Sequence, residues 1–254
     1  MRFGDLHLLD QGYRRTLQFY MTAPAPCPYI EGRKERKAFT NLAIPDADAV
    51  HNVLSHSGFR RSQSIAYRPA CPNCNACRSV RVPVRDFEPN RRWRRVLNRN
   101  RDIVASPARG EASREQFRLL KKYLAARHET GGMADMTYRD YNSMVTESPV
   151  QSIVIEYRLG EAPDAKLVGA SITDILRDGL SMVYSFFDPD LTNRSLGSLM
   201  ILEHISRANE LGLPHAYLGY WVQGSPKMEY KRLFWPLEVL SADKWRLMDP
   251  PNKA

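Results

Sequence analysis

Three thiols fall within seven residues in Cys71-Pro72-Asn73-Cys74-Asn75-Ala76-Cys77, and Cys27 is the only other cysteine of the chain. Two overlapping C-x-x-C spacings let one loop turn its sulfurs toward a common centre, with Cys27 supplying the fourth corner of a tetrahedral site. Thiolates suit zinc or an iron–sulfur cluster, and spacing does not separate the two. The competing reading is a set of reduced free thiols. Disulfide catalysis is disfavoured, because a redox C-x-x-C sits where a strand turns into a helix, a context absent here.

Arginines follow at once. Arg78, Arg81 and Arg85 lead into Arg91-Arg92-Trp93-Arg94-Arg95, with Arg99 and Arg101 beyond, and only Asp86 and Glu88 interrupt the run before Asp102. Guanidinium groups bind phosphates bidentately, and Trp93 is expected to stack on an unpaired base or a ribose. The plainer alternative is a solvated helical face. An uncompensated run repels itself unless a polyanion is present, which favours nucleic acid. The formal charge of +9 points the same way, since each neutralised phosphate releases counterions. Arg33-Lys34-Glu35-Arg36-Lys37 is a second basic cluster.

The elements that must position these groups divide near 102–111. Before it the chain is rich in Pro, Cys and Arg; after it the periodicity is regular. Two domains are expected, 1–105 and 106–254, joined around Ser106-Pro107-Ala108-Arg109-Gly110. Ser113 and Gln116 have capping-box spacing for a helix reaching about Glu129, stopped by Gly131-Gly132. A shorter helix is expected over 138–146. Strands are expected over 151–159 and 166–175, and Asp178-Gly179 is a hairpin turn leading into 180–187. Ser195–Leu211 reads as a long amphipathic helix closed by Gly212 and Pro214, followed by strands at 215–221 and 237–240. Helices, antiparallel strands, a crossover helix and a returning strand make an α+β class with a GNAT-like acyltransferase core. A smaller cysteine-containing domain precedes it. With 254 residues, 43% of them hydrophobic, the chain can bury its cores without disulfides. No apolar run approaches the ~20 residues that span a bilayer. The N-terminal residues mix Arg2, Asp5 and Asp10 among apolar ones, unlike a secretory signal, so a cytoplasmic protein with no membrane partner is expected.

Several blocks together resemble the arginyl-tRNA–protein transferase family. They are Cys27-Pro28-Tyr29-Ile30 with Arg33, the cysteine loop with Arg78 and Arg81, and Val183-Tyr184-Ser185-Phe186-Phe187-Asp188-Pro189. Leu196-Gly197-Ser198, Tyr217-Leu218-Gly219-Tyr220-Trp221 and Ser225-Pro226-Lys227-Met228-Glu229-Tyr230-Lys231 continue the match in order. The resemblance covers nearly the whole chain, and the short length is similar to the bacterial branch, associated with transfer of leucine to N-terminal Asp or Glu. It implies aminoacyl-tRNA and acceptor proteins with N-terminal Asp or Glu as partners, no organic cofactor, and a place in N-degron proteolysis. The longer eukaryotic pattern pairs adjacent cysteines, unlike Cys71, Cys74 and Cys77.

That reaction is aminolysis of an ester by an α-amine, which needs positioning, deprotonation and oxyanion stabilisation. Asp188, ending a core strand, is the candidate to accept the amine's proton, its alternative being a turn former. Arg78, Arg81, Lys227 and Lys231 are the candidate cations for the acceptor's acidic side chain, Lys231 alternatively pairing the tRNA backbone. Tyr184, Tyr220 and Trp221 are candidates to wall the aminoacyl group or stack the terminal adenosine, against ordinary core packing. His215 and Glu203 are weaker candidates with structural roles expected.

Two rival functions stand. A GNAT acetyltransferase would bind acetyl-CoA on a Gly-rich loop, but Arg194-Ser195-Leu196-Gly197-Ser198-Leu199 puts Leu where a small residue should admit a close backbone approach. A non-enzymatic zinc-ribbon nucleic-acid-binding protein would carry two separated C-x-x-C pairs and leaves the acyltransferase-like half unexplained.

Overall fold

The computed structural model describes residues 2–10, 13–108, 112–127, 133–162 and 164–250, with side chains from residue 16 onward. In chain order the elements are β1 (Arg2–Asp10), β2 (Tyr13–Met21), β3 (Ala25–Pro26), β4 (Lys34–Glu35), β5 (Lys37–Asn41), α1 (Ala47–His56), β6 (Arg60–Ser62), β7 (Ile65–Pro69) and β8 (Cys77–Pro83). Then come α2 (Arg91–Arg99), β9 (Ile103–Ala108), α3 (Arg114–Arg127), α4 (Tyr138–Thr146), β10 (Ser152–Leu159), β11 (Leu167–Leu176), β12 (Gly179–Phe187) and α5 (Leu196–Glu210). The chain closes with β13 (His215–Val222), α6 (Pro226–Glu229), β14 (Glu238–Ser241) and β15 (Lys244–Leu247). Among the described residues no helix is long and apolar enough to cross a membrane.

By packing, the chain divides into a terminal unit, Met1–Pro83 with Tyr217–Ala254, and a central unit, Val84–Ala216. The boundary expected at residues 105–106 differs from this partition because the C-terminal strands pair with N-terminal ones. Glu238 of β14 stands opposite Arg81 of β8. The linker expected at residues 106–110 is also a strand as far as Ala108: Ser106 pairs with Glu156 and Pro107 with Ile155. Arg109 and Gly110 lie outside the described residues, as do Glu129 and Gly131-Gly132.

The central unit is α+β. Its strands β9, β10, β11 and β12 lie side by side in that order, all antiparallel. The tight turn is Arg177-Asp178, one residue earlier than the expected Asp178-Gly179, because Gly179 already pairs with Leu176 as the first residue of β12. Alternation along β11 sends its two faces to different helices. Ala170 and Ile172 join Leu120, Leu124, Tyr141 and Phe186 in the core under α3 and α4. Ser171 and Thr173 face the other way, where the Thr173 hydroxyl lies 2.7 Å from Nε2 of His204 on α5. His204 Nδ1 lies 2.6 Å from the Met200 carbonyl, which only accepts, so Nδ1 carries the proton and Nε2 accepts from Thr173. Burial holds the ring neutral, with its pKa pulled down to about 4. Element order through this unit follows the expected helices, antiparallel strands and long helix, while the returning strand, β13, belongs mostly to the terminal unit.

Helices α3 and α4 are capped as their sequences dictate. Ser113 N–H donates to Gln116 Oε1 at 2.9 Å while Gln116 N–H donates to Ser113 Oγ at 3.0 Å, the expected capping box. Thr137 and Asp140 close a second box on α4.

The terminal unit contains what periodicity did not reveal, an antiparallel sheet in the order β1-β2-β5-β7-β6, with α1 between β5 and β6. Its strands β5, β6 and β7 are short, and β6 buries Arg60 and Arg61, so the alternation that marks a strand is missing there. The same unit holds β13, β8, β14 and β15 in that lateral order.

Candidate functional site

In the central unit the arginine run forms α2. Asn90 caps it, its Oδ1 accepting from the Trp93 N–H at 3.1 Å. Trp93 and Val96, three residues apart, turn inward, and Arg91, Arg92, Arg94, Arg95 and Arg99 turn to solvent. Trp93 is 1% exposed, so the base-stacking role expected of it is overturned: a 3.6-residue period makes it the helix's anchor. The guanidinium of Arg92 lies 5.3 Å from its ring centroid. Among the described residues no carboxylate pairs with any of the five solvent-facing arginines. The first turn of α2 carries no acid, so Arg91 and Arg92 stand at the positive end of the helix dipole, where an anion is favoured.

The far end of α2 is tied to the loop before α5. Arg99 donates to the carbonyl of Asn193, and the Asn100 amide donates to the carbonyls of Val96 at 2.8 Å and Arg194 at 2.9 Å. Arg194, the basic residue of the loop compared with a CoA site, is held in two hydrogen bonds to Asp102, at 2.7 and 3.0 Å.

Asp188 ends β12 as expected, but not as a free base. Its carboxylate is 2% exposed and receives Lys122 Nζ at 2.6 Å and Lys166 Nζ at 2.9 Å. Asp190 N–H donates to Asp188 Oδ1 at 3.2 Å, and Asp188 N–H donates to the Val168 carbonyl at 2.9 Å. Burial opposes ionisation, yet the hydrogen bonds from Lys122 and Lys166 prevail and hold the carboxyl below its ordinary pKa. Both oxygens are occupied, so the geometry makes Asp188 an anchor rather than a proton acceptor. Lys122 and Lys166 carried no sequence signal beyond their charge. Tyr184 packs beside the α3–α4 core, 6.4 Å from the Phe186 ring, and burial raises its pKa. His215 Nδ1 lies 3.1 Å from the Asp178 carbonyl, and burial raises the Glu203 pKa.

In the terminal unit the four cysteines line one small cavity of about 70 Å³. They are free thiols, each half-buried. Arg36 N–H donates to Cys71 Sγ at 3.3 Å. Burial, then the charges of Cys27, Cys71 and Cys74, pushes the Cys77 thiol up to about 12. Among the described residues no three of His, Cys, Asp and Glu are arranged to hold a metal ion. The thiols share a cavity without converging, so as arranged they do not meet the demands of the expected zinc or iron–sulfur site.

The expected cations differ sharply in availability. Arg81 is buried, donating to Glu238 Oε2 at 2.6 Å and to the Tyr217 hydroxyl at 2.9 Å, with the Trp245 ring 4.3 Å away. Lys231 is 7% exposed and donates to the Tyr220 carbonyl at 2.7 Å. Burial, helped by Arg60, pulls its pKa down to about 7. Neither is presented to a substrate, because each is spent inside the fold. Lys227 is exposed on α6. Arg78 lines a cavity of about 490 Å³ together with Arg68, a residue sequence reasoning missed because nothing marks it beyond its charge. Tyr220 borders both cavities; its hydroxyl lies 3.0 Å from the Gly58 carbonyl and 3.1 Å from that of Tyr67, and burial raises its pKa. Trp221 is buried with its indole N–H unpartnered among the described residues and the Arg232 guanidinium 5.8 Å from its ring centroid. It is a core residue here, not an exposed wall.

Comparison with known proteins resolves the class. Residues 25–95 match the model of the N terminus of arginine-tRNA-protein transferase, and residues 115–241 match that of its C terminus. A protein of Hyphomonas neptunium named aspartate/glutamate leucyltransferase is 65% identical over 97% of this chain and 98% of its own. The chain belongs to the arginine-tRNA-protein transferase family. A relative of the same name from Parvibaculum lavamentivorans is 53% identical over 94% of this chain and 98% of its own. Among solved structures, that of L-PGS from Bacillus licheniformis is 13% identical with a TM-score of 0.45, covering 59% of this chain and 46% of that one. At that level the likeness decides neither fold nor chemistry. The family matches flank β9, and the cysteine cavity and α2 both draw on the N-terminal match.

Proposed function

We propose that this transferase moves leucine from leucyl-tRNA to the α-amine of acceptor proteins that begin with Asp or Glu. The observation that carries the reading is the 65% identity, over nearly the full length of both chains, to a protein named for that activity. The solvent-facing arginines of α2 supply the surface such a donor needs, since a carboxylate-free guanidinium array at a helix N-terminus favours a phosphate backbone.

In the reaction the neutral α-amine attacks the ester carbonyl carbon, the carbon–oxygen bond to the terminal ribose breaks, and the amide forms. The ribose oxygen leaves with a proton and the amine loses one. An α-amine has a pKa of about 7.7–8.0, so a substantial neutral fraction exists near neutral pH. The ester is already activated, so the protein's work is chiefly alignment. Asp188 serves that alignment by fixing the end of β12 through Lys122 and Lys166. The resulting N-terminal leucine fits a role in N-degron proteolysis in the cytoplasm. No step is assigned to the cysteines.

Incubation with labelled leucyl-tRNA or arginyl-tRNA and peptides beginning Asp, Glu, Arg or Lys tests the reading. Leucine on the Asp and Glu peptides is the expected result. Arginine incorporation, the donor in the family's description, would reassign the donor. Incorporation of neither would remove the proposal.

A further inference from the structure

The 490 Å³ cavity of the terminal unit has Arg68 and Arg78 in its wall and, among the described residues, no Asp or Glu. Its lining is built, not incidental. Gly58 sits at φ +85°, where a side chain is strained, and a Cβ there would stand 2.6 Å from Leu240 Cδ2. The Gly58 carbonyl accepts from the Ser79 hydroxyl at 2.9 Å and lies 3.0 Å from the Tyr220 hydroxyl. Backbone at Gly58 and two guanidinium groups thus line the same cavity.

Both arginines are held but not neutralised. Arg78 donates from Nε to the Asn75 carbonyl at 3.4 Å, which leaves its terminal nitrogens uncommitted. The Arg68 guanidinium lies 5.2 Å from the centroid of Phe59, a cation–π contact that fixes its plane without cancelling its charge. Among the described residues neither has a carboxylate partner. A cleft of one charge sign focuses its field on a small anion, and a guanidinium fork matches a carboxylate in two hydrogen bonds. The volume falls within the ~300–1,000 Å³ of small-ligand pockets.

We infer that this cavity receives the acidic side chain of the acceptor's first residue, its carboxylate held by Arg78 and Arg68. The occupant's identity rests on the function proposed above; the anion preference rests on the cavity alone. An Asn or Gln side chain has the shape but not the charge, and is rejected because it leaves the two guanidinium charges uncompensated.

The test uses the full chain and fluorescein-labelled peptides beginning Asp, Asn or Lys, with binding followed by anisotropy without tRNA and leucine transfer followed separately. The wild-type protein should bind the Asp peptide at least 10-fold more tightly than the Asn peptide. Arg68→Ala and Arg78→Ala should each weaken Asp-peptide binding about 10-fold and raise its KM alike, with kcat and leucyl-tRNA affinity retained. Arg68→Glu with Arg78→Glu should transfer the preference to the Lys peptide. Arg68 is exposed, so its replacement probes the cavity without a burden on folding. Equal binding of Asp and Asn peptides by the wild type, or unchanged Asp-peptide affinity in both single variants, overturns the inference. Arginine-dependent Asp-peptide binding without leucine transfer would sink the donor reading and leave the pocket standing. Transfer with KM unchanged in both variants would do the reverse.

Discussion

The side-chain amide of Asn100 reaches across to the backbone of Arg194, donating to its carbonyl at 2.9 Å. With the neighbouring bond from Arg99 to Asn193, it joins the end of the arginine helix to the loop that follows Asp188 and opens α5. The basic surface is therefore braced against the loop that opens α5 rather than hung on a free helix.

That bracing gives the arginine face a measurable signature. Arg92, Arg94 and Arg95 are exposed and lack carboxylate partners among the described residues, so replacing all three by Ala removes phosphate-binding groups without dismantling packing. Affinity for tRNA should fall, and the slope of log K against log salt should flatten by about 0.7–0.9 for each phosphate no longer neutralised. Filter binding or anisotropy from 50 to about 200 mM salt reads both. An unchanged slope would make α2 an ordinary solvated face.

Local signals carried the central unit well. The helix expected over 138–146 runs from Tyr138 to Thr146, and the hairpin expected at Asp178-Gly179 forms one residue earlier, at Arg177-Asp178. Such features depend on residues a few positions apart. What sequence could not show depends on partners far along the chain: Arg81 is spent on Glu238, 157 positions away, and Asp188 on Lys122, 66 positions away. Both therefore read as free functional groups. The burial of Trp93 was legible, since Trp93 and Val96 stand one helical turn apart, but the surrounding arginines drew the reading toward stacking. Arg68 offered no signal, because a lone arginine on a short strand acquires meaning only from the cavity it lines.

Asp188→Asn separates anchoring from proton transfer. Losing two charge-assisted hydrogen bonds should cost about 1–2 kcal/mol, at the low end for such bonds because Lys122 and Lys166 are exposed and regain water. The carboxyl's pKa is depressed in the folded state, so its stabilisation is complete above the unfolded value of about 3.9 and disappears as pH falls through the lower folded value. Denaturant midpoints of wild type and variant should therefore differ near neutral pH and converge as pH falls below the unfolded value of about 3.9. Turnover of the folded variant should stay within a few-fold of wild type. A loss of about 10²–10⁴, as expected on removing a general base, would restore that role to Asp188.

Thr137→Ala tests how much α4 depends on its reciprocal cap. Asp140 N–H donates to Thr137 Oγ1 at 3.2 Å, and the Thr137 N–H donates back to Asp140 Oδ2 at 2.8 Å. Removing an N-cap in a chain of this size lowers Tm by about 2–4 °C. The Thr137 hydroxyl and N–H hold the Asp140 carboxyl below its ordinary pKa, so the deficit should shrink in acid as that carboxyl protonates in the wild type. A deficit independent of pH would assign the effect to Thr137 packing alone.

Lys231 makes the opposite pH prediction. Its pKa falls to about 7 in the fold, against about 10.4 for an unperturbed lysine. Between those values the unfolded chain binds more protons than the native one, so stability attributable to this position rises with pH from about 7 to 10. Below about 7 both states are charged and the full cost of burying the ammonium is felt; above about 10.4 neither is, and the cost is gone. Lys231→Met keeps the length of the side chain, discards the charge and gives up one hydrogen bond to the Tyr220 carbonyl. At about pH 6 the variant should be the more stable protein by roughly 2–4 kcal/mol, the burial cost less the ~1 kcal/mol of that bond. The advantage should vanish near pH ~10, where the bond decides and the wild type holds a slight edge. Urea melts across pH ~6–10 read the crossing. A variant less stable than the wild type at the acid end would show that the lysine carries its charge inside the fold, paired with an anion.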